Sequence, residues 1–298
     1  MMFILVCFVW GVIALIMFDY KKIFMVLFLA LLVVNVSVAY SKEFLIFDLI
    51  TAINKPDDLP LVPMHMIYQW QGYGGRYTTE DKKSYVDSIP EDYVRCCYVR
   101  HNVLGDQPEY YSIDFEQWAL YNISSEKIKR NIDYYQRSFD LFREALPKNA
   151  KISWYNIGAL PNGKLLRKKM SVDAYSRWQK KNNRLMEIVR KYDYMQPSLY
   201  LSNKHNMSMW KNKAKAYIDE HTRLGQGKPV YAHLSPQYVD DPDEMLSGKI
   251  WREMLEFSYQ HADGVVIWTF PQQKHRFSWN DSFPWWVETK LFLERVKD

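Results

Sequence analysis

The sequence predicts a single α/β domain, a TIM-like β/α barrel of about seven parallel strands, set behind an apolar N-terminal segment. Three observations carry this expectation. From about residue 62 onward, short apolar runs alternate with amphipathic helical patterns, which is how successive parallel β/α units read. The chain has 298 residues, and the portion after residue 41 is close to the ~250 residues of a single barrel. No repeat, linker or low-complexity stretch divides that body.

The first 41 residues stand apart. Met1 to Phe18 carries no charge, Asp19-Tyr20-Lys21-Lys22 interrupts, and Ile23 to Ser41 is again uncharged. Each stretch approaches the ~20 residues that span a hydrocarbon core. The second also reads as a signal-peptide h-region ending in the small residues Ser37-Val38-Ala39. Under either reading Lys21 and Lys22 stay on the cytoplasmic side. Residues 42–298 are therefore expected to be secreted or extracytoplasmic, with membrane association through residues 1–41 where these are retained.

In the body, the strand candidates are Val62–Gln69, Tyr93–Val99, Tyr110–Glu116, Lys151–Ile157, Tyr194–Tyr200, Pro229–Leu234 and Gly264–Thr269. Each is a run of four to eight residues rich in β-branched and aromatic types. Between them Ser125–Leu146 places Ile128, Ile132, Tyr135, Phe139, Phe142 and Leu146 at steps of three and four, giving one apolar face that Pro147 ends. Further helices are expected over 171–192, over 207–224 with Gly225 as C-cap, over 242–261 and over 283–296.

Composition narrows the function. The chain is 48% apolar and 24% charged, so it is globular. With 11 Trp and 22 Tyr, it has more rings than a core alone requires, and rings lining a cleft stack on sugars. A net charge of +5 without a basic block or nucleic-acid motif argues against a nucleic-acid partner. After residue 41 only Cys96 and Cys97 remain, and adjacent cysteines on a strand point to opposite faces, so both read as packing residues. Asn122-Ile-Ser, Asn206-Met-Ser and Asn280-Asp-Ser match glycosylation sequons.

In a parallel barrel the working residues project from the C-terminal ends of strands. The run Tyr110-Tyr111-Ser112-Ile113-Asp114-Phe115-Glu116 is the most informative such end. Its period of two puts Asp114 and Glu116 on one face, with Cα atoms ~6.5 Å apart at ~3.3 Å per residue. At that separation one ionised carboxylate raises the pKa of the other and keeps a proton available near neutrality. A solvated strand end in which the two acids cap the next helix fits the same residues.

The other strand ends favour chemistry. Gln196-Pro197-Ser198-Leu199-Tyr200, Pro229-Val230-Tyr231-Ala232-His233 and Gly264-Val265-Val266-Ile267-Trp268 occur in order. With Asp114-Phe115-Glu116 before them, these motifs resemble the hyaluronidase family of glycoside hydrolases. The resemblance spans about residues 90–270 and implies a distorted barrel of seven strands. It implies Glu116 as general acid/base, Asp114 orienting the substrate's 2-acetamido group, Tyr200 bonding that group and Trp268 walling its pocket. Tyr231 lies on the Pro-Val-aromatic strand and joins the candidate substrate-binding residues, with Tyr155 a looser member. The chain departs from the family where Ala119-Leu120 replaces Arg-Pro after Glu116-Gln117-Trp118, and where Thr269 replaces Gly after Trp268.

Outside the resemblance, the loop from Gln69 to Tyr77 offers Trp70 and several amides for a sugar, and Lys164, Arg167, Lys168 and Lys169 could face a polyanion. His65, His101 and His233 lack the tight spacing that a metal site with Asp114 and Glu116 would need, so no cofactor is expected. The expected function is a glycosidase acting on an N-acetylhexosamine-containing, hyaluronan- or chondroitin-like polysaccharide, with no separate nucleophile. Chitinases also place Asp-x-Glu on a barrel strand but usually carry another Asp two residues earlier, where this chain has Ser112. A barrel that binds carbohydrate without turnover is the reading from a different class. The topology expectation is directly testable: protease added to the cytoplasmic face of sealed vesicles should leave residues 42–298 intact, and digestion of that body would refute it.

Overall fold

The structure is a computed structural model and describes residues 43–68, 108–116, 118–163 and 170–297. The compact unit runs from Phe44 to Asp298. Among the described residues six parallel strands form one curled sheet: β1 (Leu45–Leu49), β2 (Val62–Tyr68), β3 (Tyr110–Asp114), β4 (Lys151–Trp154), β5 (Tyr231–Leu234) and β6 (Gly264–Trp268), in the order β4-β3-β2-β1-β6-β5. The helices are α1 (Ser125–Ala145), α2 (Val172–Asn182), α3 (Met186–Val189), α4 (Met207–Gly225), α5 (Gly248–His261) and α6 (Pro284–Lys297). The expected TIM-like α/β fold is the one observed. None of the helices among the described residues is long and apolar enough to cross a membrane.

The expected strand over 194–200 is an extended segment without a regular ladder. It lies between the two outer strands of the sheet and bonds to both. Asp193 N–H donates to Ile152 O and Asn156 N–H to Gln196 O on the β4 side, each at 3.0 Å. On the β5 side Met195 N–H donates to Pro229 O (2.8 Å) and Leu199 N–H to His233 O (2.9 Å). Pro197 has no N–H to give, and the Ser153 hydroxyl donates to the Tyr194 carbonyl at 2.6 Å. These substitutions satisfy the backbone while breaking the ladder. The expected strand over 93–99, with Cys96 and Cys97, lies outside the described residues.

β1 was not expected. Its residues are buried on both faces, as in a central parallel strand, with Ile46 against the helices and Phe47 in the lumen. The helices also differ in detail. The expected helix over 171–192 breaks after Asn182, a fully buried side chain that accepts from Leu160 N–H (3.1 Å) and donates to Glu220 (2.8 Å). The next residues, Asn183–Leu185, tighten into a 3₁₀ turn before α3. α4 runs through Gly225 and ends on left-handed Gln226 (φ 51°). α5 starts at Gly248, capped by Ser247 Oγ accepting from Ile250 N–H (3.4 Å), so residues 242–247 stay outside it.

Alternation along each strand sorts the side chains into two cores. Outward residues such as Ile67, Ile113, Ile152, Val265 and Ile267 meet the helices. α1 contributes Ile128, Ile132, Tyr135, Phe139 and Phe142 to that layer, each worth about 1.5–3 kcal/mol when fully buried. Inward residues stack along the barrel axis. At the strands' N-terminal ends, Phe47, Tyr110, Tyr194 and Tyr231 close the lumen with ring centroids 4.6–6.2 Å apart. Above this plug, Ser112 Oγ donates to Gln196 Oε1 (2.8 Å), which also lies 2.5 Å from His233 Nε2. The third layer is the open, C-terminal mouth.

Gly264 starts β6 where a Cβ would collide with the Leu45 carbonyl oxygen of the neighbouring strand and lie 3.0 Å from the Tyr231 ring. Gly264→Ala should therefore lower stability by about 1–3 kcal/mol. Urea unfolding checks this, and an unchanged midpoint would show that β1 and β6 are not packed as described.

Candidate active site

Asp114 ends β3, in register with Tyr68 at the end of β2. Phe115 comes next with its ring turned outward and buried against Phe142 and Trp154, at centroid distances of 5.6 and 5.9 Å. The Phe115 carbonyl accepts hydrogen bonds from the Tyr135 hydroxyl (3.0 Å) and the Trp154 indole N–H (3.3 Å). With the intervening residue fixed, Asp114 and Glu116 both lie at the mouth. Burial, and then the charge of Glu116, push the Asp114 carboxyl up to about 7. Glu116, more exposed at the rim, is pushed up by partial desolvation. The pair therefore holds a proton near neutrality.

A wall of rings faces the acids. Trp268, the last residue of β6, stacks on Tyr200 at 5.0 Å and 19° and donates its indole N–H to the Tyr68 hydroxyl at 2.8 Å. Tyr155, just past β4, stacks on Tyr200 at 6.4 Å and donates to Ser198 Oγ at 2.9 Å. Burial raises the pKa of the Tyr68, Tyr155 and Tyr200 phenols, and Asp114 adds to each shift, so all three stay neutral. Beneath them His233 contacts Tyr155 edge-on at 4.9 Å, and burial lowers its pKa to about 3. These residues thus offer apolar faces and neutral hydroxyls but no cation. Glu116 also lines a cavity of about 230 Å³ between Trp118, Tyr121, Tyr135 and the Tyr155–Pro161 rim, so Tyr155 belongs both to the wall and to this cavity.

Solved structures share this fold. Bee venom hyaluronidase matches at a TM-score of 0.51 and 12% identity, covering 79% of this chain and 97% of that one. Bee venom hyaluronidase in complex with a hyaluronic acid tetramer gives 0.52 and 13%, covering 80% and 96%. A GH18 chitinase from Pseudoalteromonas aurantia is more distant, at 0.43 and 15%, covering 71% of each chain. No protein-family model matches the sequence, and no curated protein matches it. At these identities the likeness to bee venom hyaluronidase establishes the barrel fold, not a reaction.

The structure brings Asp114, Glu116, Tyr155, Tyr200 and Trp268 together. It does not bring Tyr231 to them. Tyr231 is the first residue of β5, paired with Gly264, and packs at the bottom of the lumen against Phe47 and Tyr194. The Pro-Val-aromatic motif marks the strand's beginning, whereas the mouth takes residues from its end. Trp70, His101 and the cluster Lys164, Arg167, Lys168 and Lys169 lie outside the described residues. No group of three or more His, Cys, Asp and Glu side chains converges among those described. Tyr68 was missed, although it ends a strand whose last residue alternation places inward. Thr269, the departure from Gly, is buried, and its hydroxyl accepts from Thr51 N–H at 2.7 Å.

The raised pKa of Asp114 has a signed consequence for stability. The folded chain holds this proton more tightly than the unfolded chain, whose Asp titrates near 3.9. Stability attached to the group is full below that value and falls as pH rises toward about 7. Asp114→Asn removes the loss. The variant should match wild type in melting temperature near pH 4 and exceed it at pH 8, whereas a pH-independent difference would contradict burial of the charge.

Proposed function

We propose that the protein is a glycosidase acting on an N-acetylhexosamine-containing polysaccharide, hyaluronan- or chondroitin-like, by substrate-assisted catalysis with retention of configuration. The observation that carries the proposal is the pairing of Asp114 and Glu116 on one strand end, opposite the Tyr155–Tyr200–Trp268 wall. A double-displacement site with a protein nucleophile sets its two carboxyls across the scissile bond, ~5–5.5 Å apart. Neighbours on one strand cannot easily approach a sugar from opposite faces. The substrate's own acetamido oxygen then attacks the anomeric carbon as the C–O bond to the leaving group breaks. Glu116 gives its proton to the departing oxygen, and later takes one from the water that opens the cyclic intermediate.

The proton must sit on Glu116 at that moment, although in the free protein Asp114 is also raised. Substrate resolves this. A sugar chain filling the mouth removes water from Glu116 and raises it further, while the acetamido N–H donates to Asp114 and favours its ionised form. Ionised Asp114 then stabilises the positive charge that develops on the acetamido group. Tyr200 would hold the same group, and Trp268 would shield the intermediate from premature water. The reading carries with it secretion or another extracytoplasmic location, where such polymers are met.

Glu116→Gln should lower turnover by at least ~10²-fold, as expected for loss of a general acid, with oligosaccharide binding retained by calorimetry. Near-wild-type turnover by the folded variant would overturn the assignment. NMR of early product should show retained anomeric configuration, and a polymer stripped of its N-acetyl groups should resist cleavage. Inversion, or undiminished cleavage of the deacetylated chain, would exclude acetamido participation.

A further inference from the structure

Beyond the Glu116 cavity lies a larger one, of about 660 Å³, and the two share Tyr121, Leu160 and Pro161 in their linings. The two cavities thus adjoin at these residues, on the outward side of the acid's cavity. Its far side is lined by Arg177 and Lys181 of α2 and by Arg184 of the 3₁₀ turn after it, with no Asp or Glu among the described lining residues. None of the three cations has a carboxylate partner among the described residues. Arg184 Nε is enclosed without a hydrogen-bond acceptor among them, an arrangement that costs stability unless a ligand supplies one. Ser125 and Ile128 bring the first turn of α1 to the same cavity, the electropositive end of a 21-residue helix. Glu126, the acid of that turn, is not in the lining.

We infer that this cavity is a subsite for a densely anionic stretch of sugar chain, sulfated in preference to carboxylate-only, lying beyond the bond that Glu116 would protonate. The inference rests on the glycosidase reading for the continuity of that chain with the cleavage site. Arg177 and Lys181 lie four residues apart on one face of α2, and Arg184, on the turn that follows, lines the same cavity, so the three cations sit within about one disaccharide's length of one another. A uronic-acid polymer without sulfate brings one charge every second sugar, too few to meet three cations over so short a run. Sulfation adds a charge on the alternate sugar, and the guanidinium fork of each arginine suits the paired oxygens of a sulfate. Trp178 and Tyr121 supply apolar surface to the same cavity for the sugar rings.

Calorimetry on the full chain carrying Glu116→Gln separates binding from turnover. The probes are sulfated chondroitin, unsulfated chondroitin and neutral chitin oligosaccharides of equal length. Sulfated chondroitin should bind at least ~10-fold more tightly than the unsulfated probe, and that preference should weaken with salt. The triple variant Arg177→Gln, Lys181→Gln, Arg184→Gln should lose the preference. The double variant of the two exposed cations, Arg177 and Lys181, should reduce it even where removing Arg184 impairs folding. Lys148→Gln, Lys249→Gln, Lys290→Gln, which removes the same charge from exposed positions outside the cavity, should keep it. Equal affinity for sulfated and unsulfated probes, or a preference that survives in the cavity variants, would overturn the inference. A cation-dependent preference in the Glu116→Gln chain, together with no cleavage of any of the probes by the chain that keeps Glu116, would instead refute the glycosidase reading and leave the anionic subsite standing.

Discussion

The geometry of the site depends on how Phe115 is held. Its ring is clamped in the outer core among Trp118, Phe142 and Trp154, and its carbonyl receives the Tyr135 hydroxyl and the Trp154 indole N–H. A buried hydrogen bond contributes only about 1 kcal/mol net, so neither bond alone would fix the residue. Together with the ring they leave it one orientation. Because side chains alternate along an extended chain, an outward Phe115 commits Asp114 and Glu116 to the mouth. Tyr135 comes from the buried face of α1, so the helix that packs the outer core also aims the acids.

The lumen explains the electrostatics. The aromatic plug at the bottom excludes water from below, and the Ser112–Gln196–His233 layer above it is polar but neutral, since burial holds His233 uncharged. The phenols of the wall are kept neutral as well. Among the described residues, no cation offsets Asp114, and its proton affinity rises through burial and the nearby Glu116 charge. An ion pair at this point would have lowered the same carboxyl. The unshared charge is what makes the pair suited to proton transfer rather than to structure.

Much of this was legible in the sequence, and the failures have physical causes. Period-two alternation is a short-range property, so it ordered the side chains at the ends of β3 and β6, with Asp114, Glu116 and Trp268 toward the mouth, although the ladders stop at Asp114 and Trp268, short of the expected Glu116 and Thr269. It could not reveal β1, whose Leu45-Ile-Phe-Asp-Leu is short, follows the N-terminal segment after only Lys42, Glu43 and Phe44, and is buried on both faces, so it shows no clean alternation. Tyr231 was misplaced because a motif names a strand without saying which of its residues reaches the mouth. The break after Asn182 depends on Leu160 and Glu220, partners distant in sequence. No local pattern encodes that contact.

The two sides of Glu116 differ in kind, and the difference orients any chain bound across it. Next to Asp114 stand Tyr200 and Trp268, a neutral aromatic surface that suits a single acetamido-bearing ring, with Tyr155 where this surface meets the cavity of Glu116. Beyond that cavity, the site widens past Leu160 and Pro161 toward cations that nothing in the described chain neutralises. Substrate-assisted attack requires the reacting sugar, with its acetamido group, to occupy the first side. The bond to be broken then points at Glu116, and the leaving portion of the chain must extend along the second. Binding energy gathered there by remote, non-reacting sugars is available to hold the reacting ring against the wall. On the proposed reading, the wide, charged half of the site thus serves the narrow half, where the proton would be transferred.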